Sequence, residues 1–430
     1  VDGSSKFGKA NKYAFFPSAA VAWRLSEEGF MQSLGFFDDL KLRASYGLIG
    51  NTPDQSFISI PTLDKSTYNF GGSLVNGFRA TRLANENLKW ERTASLDIGL
   101  DASILNNRVQ LTVDYYYKET TDLLLDVQIP SVTGFVTSFQ NVGSLKNNGI
   151  DIGITTTNIN KANFNWQTTL NLSHNRNEVL ELSGEDEIFV ARSTNGRGQQ
   201  PAGILRVGEA VGSYYGLVSD GIWNSQQEID EAGVTSTIRI EPGAERYKDI
   251  NGDNIIDGED RIILGNDTPD LFGGIINRLS FKNWNLNIFF DGTFGNEVFN
   301  FNDALYAAPT GERNQYDEIA NRWSESNPNS NIPGASIGAG SLEPRSRWIK
   351  DGSYLRLRDL TLAYNIPSED ISWLNSLQIY VSGTNLLRID NYNGYDPYVS
   401  GYGQDNLRRA TDLGGYPSSK MYRIGVKLDL

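Results

Sequence analysis

Ala94–Ile104 reads ASLDIGLDASI, and this alternation decides the fold. Leu96, Ile98, Leu100, Ala102 and Ile104 fall on one side of an extended chain. Ser95, Asp97, Gly99, Asp101 and Ser103 fall on the other, because successive side chains of a strand point to opposite faces. A helix would scatter both sets around its surface. The pattern recurs nearby. Val109, Leu111, Val113, Tyr115 and Tyr117 alternate with Gln110, Thr112, Asp114 and Tyr116. Phe164, Trp166, Thr168, Leu170 and Leu172 alternate with Asn165, Gln167, Thr169, Asn171 and Ser173.

Carried along the chain, the same period predicts about 11 strands, near 14–25, 39–48, 92–105, 108–118, 147–157, 163–175, 273–282, 284–293, 353–365, 376–386 and 420–430. The connections fall into two classes that alternate. Short ones are 26–38, 106–107, 158–162, 283 and 366–375; long ones are 49–91, 119–146, 176–272, 294–352 and 387–419. Short turns at one end and long loops at the other are the rhythm of an outer-membrane barrel. A soluble all-β sandwich has no reason to collect its long loops at one end.

The fold class is therefore all-β, an antiparallel transmembrane β-barrel with long extracellular loops. If the last strand ends in the periplasm, counting back makes the first strand run inward from outside. Bacterial single-chain barrels have even strand numbers. The expectation is that residues 1–430 are the C-terminal part of a larger barrel, about half of a 22-stranded, plugged one. The N-terminus, Val1-Asp2-Gly3-Ser4-Ser5, has neither an initiator Met nor a signal peptide and reads as a cut inside a longer protein. In the last strand, Tyr422, Ile424, Val426, Leu428 and Leu430 would face lipid, and Arg423, Gly425, Lys427 and Asp429 the lumen. Trp166, Trp284, Tyr115, Tyr117, Tyr354, Tyr364 and Tyr422 share the outward parity and are read as aromatic girdle residues, with ordinary sheet packing as the alternative.

Composition agrees. No run of about 18 apolar residues exists, so a transmembrane helix is excluded, but a barrel strand needs only about 9–11 residues with alternate ones apolar. The 43 Gly, 20 Tyr, 20 Phe and 8 Trp suit extended structure with large loops. With no Cys there is no thiol chemistry. A net charge of -14 argues against nucleic acid as a partner.

Several segments, in order over nearly the whole chain, resemble the SusC/RagA family of TonB-dependent outer-membrane transporters. They are Leu40–Gly47 (LKLRASYG), Leu88–Gly99 (LKWERTASLDIG), Val142–Gly153 (VGSLKNNGIDIG) and Val211–Trp223 (VGSYYGLVSDGIW). After these come Tyr247–Gly265 (YKDINGDNIIDGEDRIILG), Pro269–Gly274 (PDLFGG), Trp348–Pro367 (WIKDGSYLRLRDLTLAYNIP), Ile379–Leu386 (IYVSGTNL) and Tyr392–Pro397 (YNGYDP). The family's terminal residue is often Phe, whereas this chain ends in Leu430. The resemblance implies a 22-stranded barrel in the outer membrane of a Gram-negative bacterium of the Bacteroidota. It further implies a plug outside residues 1–430 that contacts the TonB–ExbB–ExbD complex, and a SusD-type surface lipoprotein capping the barrel. Such a pair takes up oligosaccharides or peptides. Alternatives on a similar barrel are a siderophore or vitamin receptor, a passive porin, or a surface adhesin or enzyme.

The 176–272 loop region holds the best-defined candidate site, an EF-hand-like acidic loop at 249–260. Asp249, Asn251, Asp253, Asp257 and Asp260 place side-chain oxygens at loop positions 1, 3, 5, 9 and 12, and Ile255 offers its carbonyl at 7. Ca²⁺ takes about 6–8 oxygens, and this spacing wraps the chain around one structural ion. Position 6 is Asn254 in place of Gly, and position 12 is Asp in place of the longer Glu. An Asx-rich turn without metal is the other reading. Tyr214, Tyr215 and Trp223 are candidate contacts for a ligand or partner; packing inside the loop is the alternative. Gln226–Ala232 and Tyr316–Trp323 look helical. No catalytic constellation appears: His174 stands alone beside Ser173, zinc spacing is missing, and Asn195-Gly196-Arg197-Gly198 lacks the Lys-Ser/Thr of a phosphate loop. The chain is read as a non-enzyme.

Overall fold

The computed structural model describes all of the chain except residues 54–55, 136, 183, 192–200, 310–313, 337–343, 368–375, 404 and 430. Most of the last short turn, the 195–198 segment and Leu430 thus lie outside the described residues. Eleven strands form one sheet: β1 (Ser18–Arg24), β2 (Phe37–Asn51), β3 (Glu91–Ile104), β4 (Val109–Thr121), β5 (Ser144–Lys161), β6 (Phe164–Glu181), β7 (Leu271–Phe281), β8 (Trp284–Phe294), β9 (Tyr354–Ile366), β10 (Ser376–Asp390) and β11 (Met421–Asp429). Each neighbours the next in sequence, an up-and-down meander without crossovers. All the expected strands are present. β5 and β6 run to 18 residues each, longer than alternation suggested, because polar residues on both faces hide their outer ends from a period-2 reading.

Short connections are closed by left-handed residues. Leu105, Asn106 and Asn107 have φ near 60°, and Lys282 has φ 51°. Asn accepts this region through local hydrogen bonding, and Asn107 N–H donates to Asp38 Oδ2 at 2.8 Å.

The chain divides into two compact units. One comprises residues 1–151, 176–186 and 206–208. In it, Ile98 pairs with Ala44 and Tyr115 in the same row, which sets the apolar face of β2–β4. The opposite face carries ion pairs: Arg43 donates to Asp101 at 2.8 and 3.1 Å and to Asp114 at 2.7 Å. Phe7, Ile58, Leu88 and Trp90 form a core where 1–16 and the 52–90 connection meet. Phe7 and Phe16 lie 5.2 and 5.4 Å from the Trp90 ring.

The other unit holds residues 152–175, 187–205 and 209–430. Its apolar sheet face is exposed: Ile424 is 80% and Tyr422 74% accessible, and they pair with exposed Val381 and with Gly383. Gly425 lies on the other face, where the Tyr380 ring occupies the space that a β-carbon would fill. An aromatic row crosses the short-turn end of the apolar face. Phe164 and Phe281 rings are 6.4 Å apart, and Trp284 lies 4.8 Å from Tyr364. Phe164 and Phe281 join Trp284 and Tyr364 of the predicted girdle.

Tyr354 does not belong to that girdle. β9 shifts register against β8 between Phe289 and Phe290, so a bulge separates Tyr354 from Tyr364 and reverses its face. Tyr354 is buried, with Arg356 5.2 Å above its ring and the Tyr398 ring 6.3 Å away. Nearer the turns, the apolar face carries one polar chain that satisfies itself. Trp166 Nε1–H and Thr168 Oγ1–H donate to Asn277 Oδ1 at 3.0 and 2.8 Å. Asn158 Nδ2 donates to Thr168 Oγ1 at 2.8 Å.

Candidate binding surface of the outer loops

In the second unit the described parts of the long connections, within 187–205, 209–270, 295–353 and 391–420, pack on one another. Their core is Ala202, Tyr214, Phe299, Phe301, Ala304 and Trp348. Glu297–Asn300 pairs antiparallel with Ile349–Asp351 and parallel with Thr411–Asp412, so main-chain bonds join them. Tyr214 is fully buried at this junction. Its hydroxyl lies 3.1 Å from the Glu297 carbonyl and 3.0 Å from the Ala410 carbonyl.

Tyr215 is also buried, 5.7 Å from the Phe189 ring. Trp223 packs with Ile229 and Ala244 beneath Arg246. The three aromatics singled out as ligand contacts are thus loop anchors, because large apolar rings stabilise more when desolvated than when left on a loop surface. Gln226–Ala232 is a helix capped by Ser225, whose side chain accepts from Glu228 N–H, and ended by left-handed Gly233. In the second helical candidate, Asp317–Asn321 is a 3₁₀ turn.

A buried ion cluster ties two of these connections. Glu245 accepts from Arg345, from Arg347 at 2.9 Å and from Ser219 Oγ at 2.6 Å. Burial pushes the Glu245 carboxyl up, but the Arg345 and Arg347 charges and the Ser219 hydroxyl outweigh it and hold it below the usual range. Arg345 also stacks 4.3 Å over Trp348. Glu297 is opposite: burial raises its carboxyl, only partly countered by the Asn266 N–H.

The acidic loop is closed by carboxylate-to-amide bonds. Asp249 accepts from Gly252 N–H at 2.6 Å and Asn254 N–H at 2.9 Å. Asn251 accepts from Asp253 N–H, and Asp253 from Ile255 N–H. Fully buried Asp260 accepts from Ile250 N–H at 2.7 Å and Asp257 N–H at 2.9 Å. Asn254 takes φ 63°, the left-handed turn that position 6 demands. Asp257 caps the turn Gly258–Asp260 through Glu259 N–H. Among the described residues no group of three or more acidic, His or Cys side chains is gathered in a metal-holding arrangement. His174 is exposed within β6, with Nδ1 2.5 Å from the Asp270 carbonyl oxygen.

Sequence reading missed the polar rim. Asp291 of β8 accepts from Arg356 at 3.1 and 2.7 Å and from Arg358 at 3.4 Å. Arg388 of β10 binds Asp390 at 2.5 Å and Asp396 at 3.4 Å. Exposed Tyr395 and Tyr398 adjoin it: the Tyr395 carbonyl accepts from Arg388 at 3.0 Å, and the Tyr398 ring lies 5.5 Å from the Arg356 guanidinium. Tyr395 and Asp396 belong to the YNGYDP segment, which was legible as a motif but carried no spatial assignment.

Residues 1–386 match the family model of the TonB dependent receptor-like beta-barrel. The chain is 41% identical to TonB-dependent receptor P26 of Formosa agariphila, over 100% of its own length and 43% of that protein's. It is 28% identical to TonB-dependent receptor SusC of Bacteroides thetaiotaomicron, over 99% of its own length and 41% of that protein's. Among solved structures, the RagAB peptide transporter superimposes with a TM-score of 0.82 at 25% identity, over 99% of this chain and 44% of that one. The chain spans less than half the length of these relatives.

Proposed function

This chain belongs to the TonB-dependent receptor-like β-barrel family, and on that premise we propose that it supplies wall and outer loops of an energised importer. It is an outer-membrane barrel of the SusC/RagA type, a receptor family and not an enzyme family. The importer takes oligosaccharides or peptides, with a SusD-type lipoprotein as its surface partner and TonB–ExbB–ExbD supplying energy through a plug. Resemblance to SusC and to the RagAB peptide transporter supports this reading. One observation carries it furthest. The described parts of the long connections in the second unit form a hydrogen-bonded cluster around Tyr214 and Trp348, as a shaped recognition surface requires. A passive pore needs no such surface.

The test is uptake. Cells carrying the full-length protein and its neighbouring lipoprotein should accumulate labelled oligosaccharides or peptides, and tonB deletion should abolish accumulation while leaving surface binding. Accumulation that persists without TonB would make the protein a porin. Binding with no accumulation in TonB-competent cells would make it an adhesin.

A further inference from the structure

A cavity of about 280 Å³ opens where β10 outruns β11. The last rung between these strands is Thr384–Met421, so residues 385–390 continue without β11 beside them. The chain shapes this notch. Asn385 takes φ 55°, and its Nδ2 donates to the Ser419 carbonyl at 3.1 Å. Asp396 accepts from Ser418 N–H at 3.1 Å. Arg356, Arg388, Lys420 and Asp396 bring charge to the walls, and Leu387 brings an apolar surface.

The charges are unequal in what they have left to give. Arg356 spends its planar fork on Asp291, and Arg388 is held by Asp390, Asp396 and the Tyr395 carbonyl. Lys420 has no ion-pair or hydrogen-bond partner among the described residues. Around the notch, Arg356, Arg358, Arg388 and Lys420 face Asp291, Asp390 and Asp396, which leaves one positive charge uncompensated.

We propose that this cavity binds a carboxylate of a soluble ligand at Lys420, with Leu387 against the ligand's apolar part. Small-molecule pockets begin at roughly 300 Å³, so the space suits one acidic sugar ring or one terminal amino-acid residue. A monoanion balances the single free charge, whereas a phosphate dianion would leave a negative excess beside Asp396. Only the source of the ligand rests on the importer reading.

The detergent-purified full-length protein would be titrated with D-glucuronate and N-acetyl-alanyl-alanine, and in parallel with D-glucose and N-acetyl-alanyl-alaninamide, by ligand-observed NMR. The acids should bind about tenfold more tightly than their neutral counterparts, the size of one charge-assisted contact. The preference should shrink with salt, vanish in Lys420→Gln and persist in Lys420→Arg. Equal binding of acid and neutral forms overturns the proposal, as does an acid preference that survives Lys420→Gln. Binding of phosphatidylglycerol vesicles with no binding of the soluble acids also overturns it. Loss of TonB-dependent uptake would sink the importer and leave this binding result standing.

Discussion

Arg356 grips Asp291 with two hydrogen bonds, of 3.1 and 2.7 Å, although unbroken alternation from Tyr364 would aim it at lipid. The bulge around Arg358 reverses the face of the outer part of β9 and makes the pair possible. Deleting Arg358 joins Leu357 directly to Asp359, and plain alternation then keeps Leu357 outward and Arg356 opposite Asp291. Both this deletion and Arg358→Ala should therefore leave the pair standing, and Arg358→Ala should cost under about 1 kcal/mol, since Arg358 is half exposed and its contact with Asp291 is long. Arg356→Ala strands Asp291 and should cost about 3–5 kcal/mol. Urea-driven unfolding in liposomes, read by the gel shift of the heat-modifiable barrel, would rank the three. A deletion as costly as Arg356→Ala would contradict this reading of the bulge.

That bulge also marks the limit of sequence reading. Wherever one strand face is apolar and the other polar, as in Ala94–Ile104 or Met421–Asp429, residue parity alone fixes the orientation, and the strands and their order were legible. Parity cannot announce a one-residue insertion, and Tyr354 was placed on the wrong face for that reason. Loop residues carry no period at all. Tyr214 and Trp223 look the same in sequence whether they meet a ligand or a core, and only the tertiary contacts with Phe299 and Ala244 settle them as core. The Asp249–Asp260 turn was legible because Asx side chains bond their own neighbouring backbone.

The facing of the last strand predicts an asymmetry. Val426 is exposed on the apolar face, opposite Ile379, while Arg423 lies on the other face opposite Ser382. Val426→Arg should cost about 2–4 kcal/mol near the bilayer midplane. Arg423→Leu loses an exposed contact with the Met421 sulfur and, among the described residues, no ion pair, so it should cost under about 1 kcal/mol. Folding into liposomes would measure both, and an equal effect would contradict the assignment.

Glu245 predicts a pH dependence confined to the outer loops. Its folded carboxyl titrates below its unfolded value, because Arg345, Arg347 and Ser219 overcome burial. The stabilisation is therefore complete above the unfolded carboxylate pKa and is lost as pH falls through the lower, folded one. Hydrogen exchange in 213–222, 245–247 and 345–350 should accelerate as acid is added across that window. Glu245→Gln leaves two arginines uncompensated at a buried point and should loosen the same segments at neutral pH, by about 3–5 kcal/mol. Its exchange should then be nearly independent of pH in the acid range. A variant that keeps the parental acid response would assign that response to another group.

Calcium can be tested at the acidic loop separately from the hydrogen bonds that already close it. Carboxylate oxygens keep a second lone pair after accepting an amide N–H. Asp249, Asn251, Asp253, Asp257, Asp260 and the Ile255 carbonyl could thus still serve an ion whose arrival draws them together. Calcium titration should raise the thermal midpoint of the loop region, and chelator should reverse the rise. Exposed Asp253→Ala should abolish the response while leaving the metal-free midpoint almost unchanged, since it removes only two exposed bonds, from Ile255 N–H and Asn251 Nδ2. Asp260→Ala should lower the midpoint with or without calcium, because it empties a fully buried site and takes the partner from the Ile250 and Asp257 amides. A parent protein whose midpoint ignores calcium up to millimolar levels would leave the loop as an Asx-rich turn held by its own backbone.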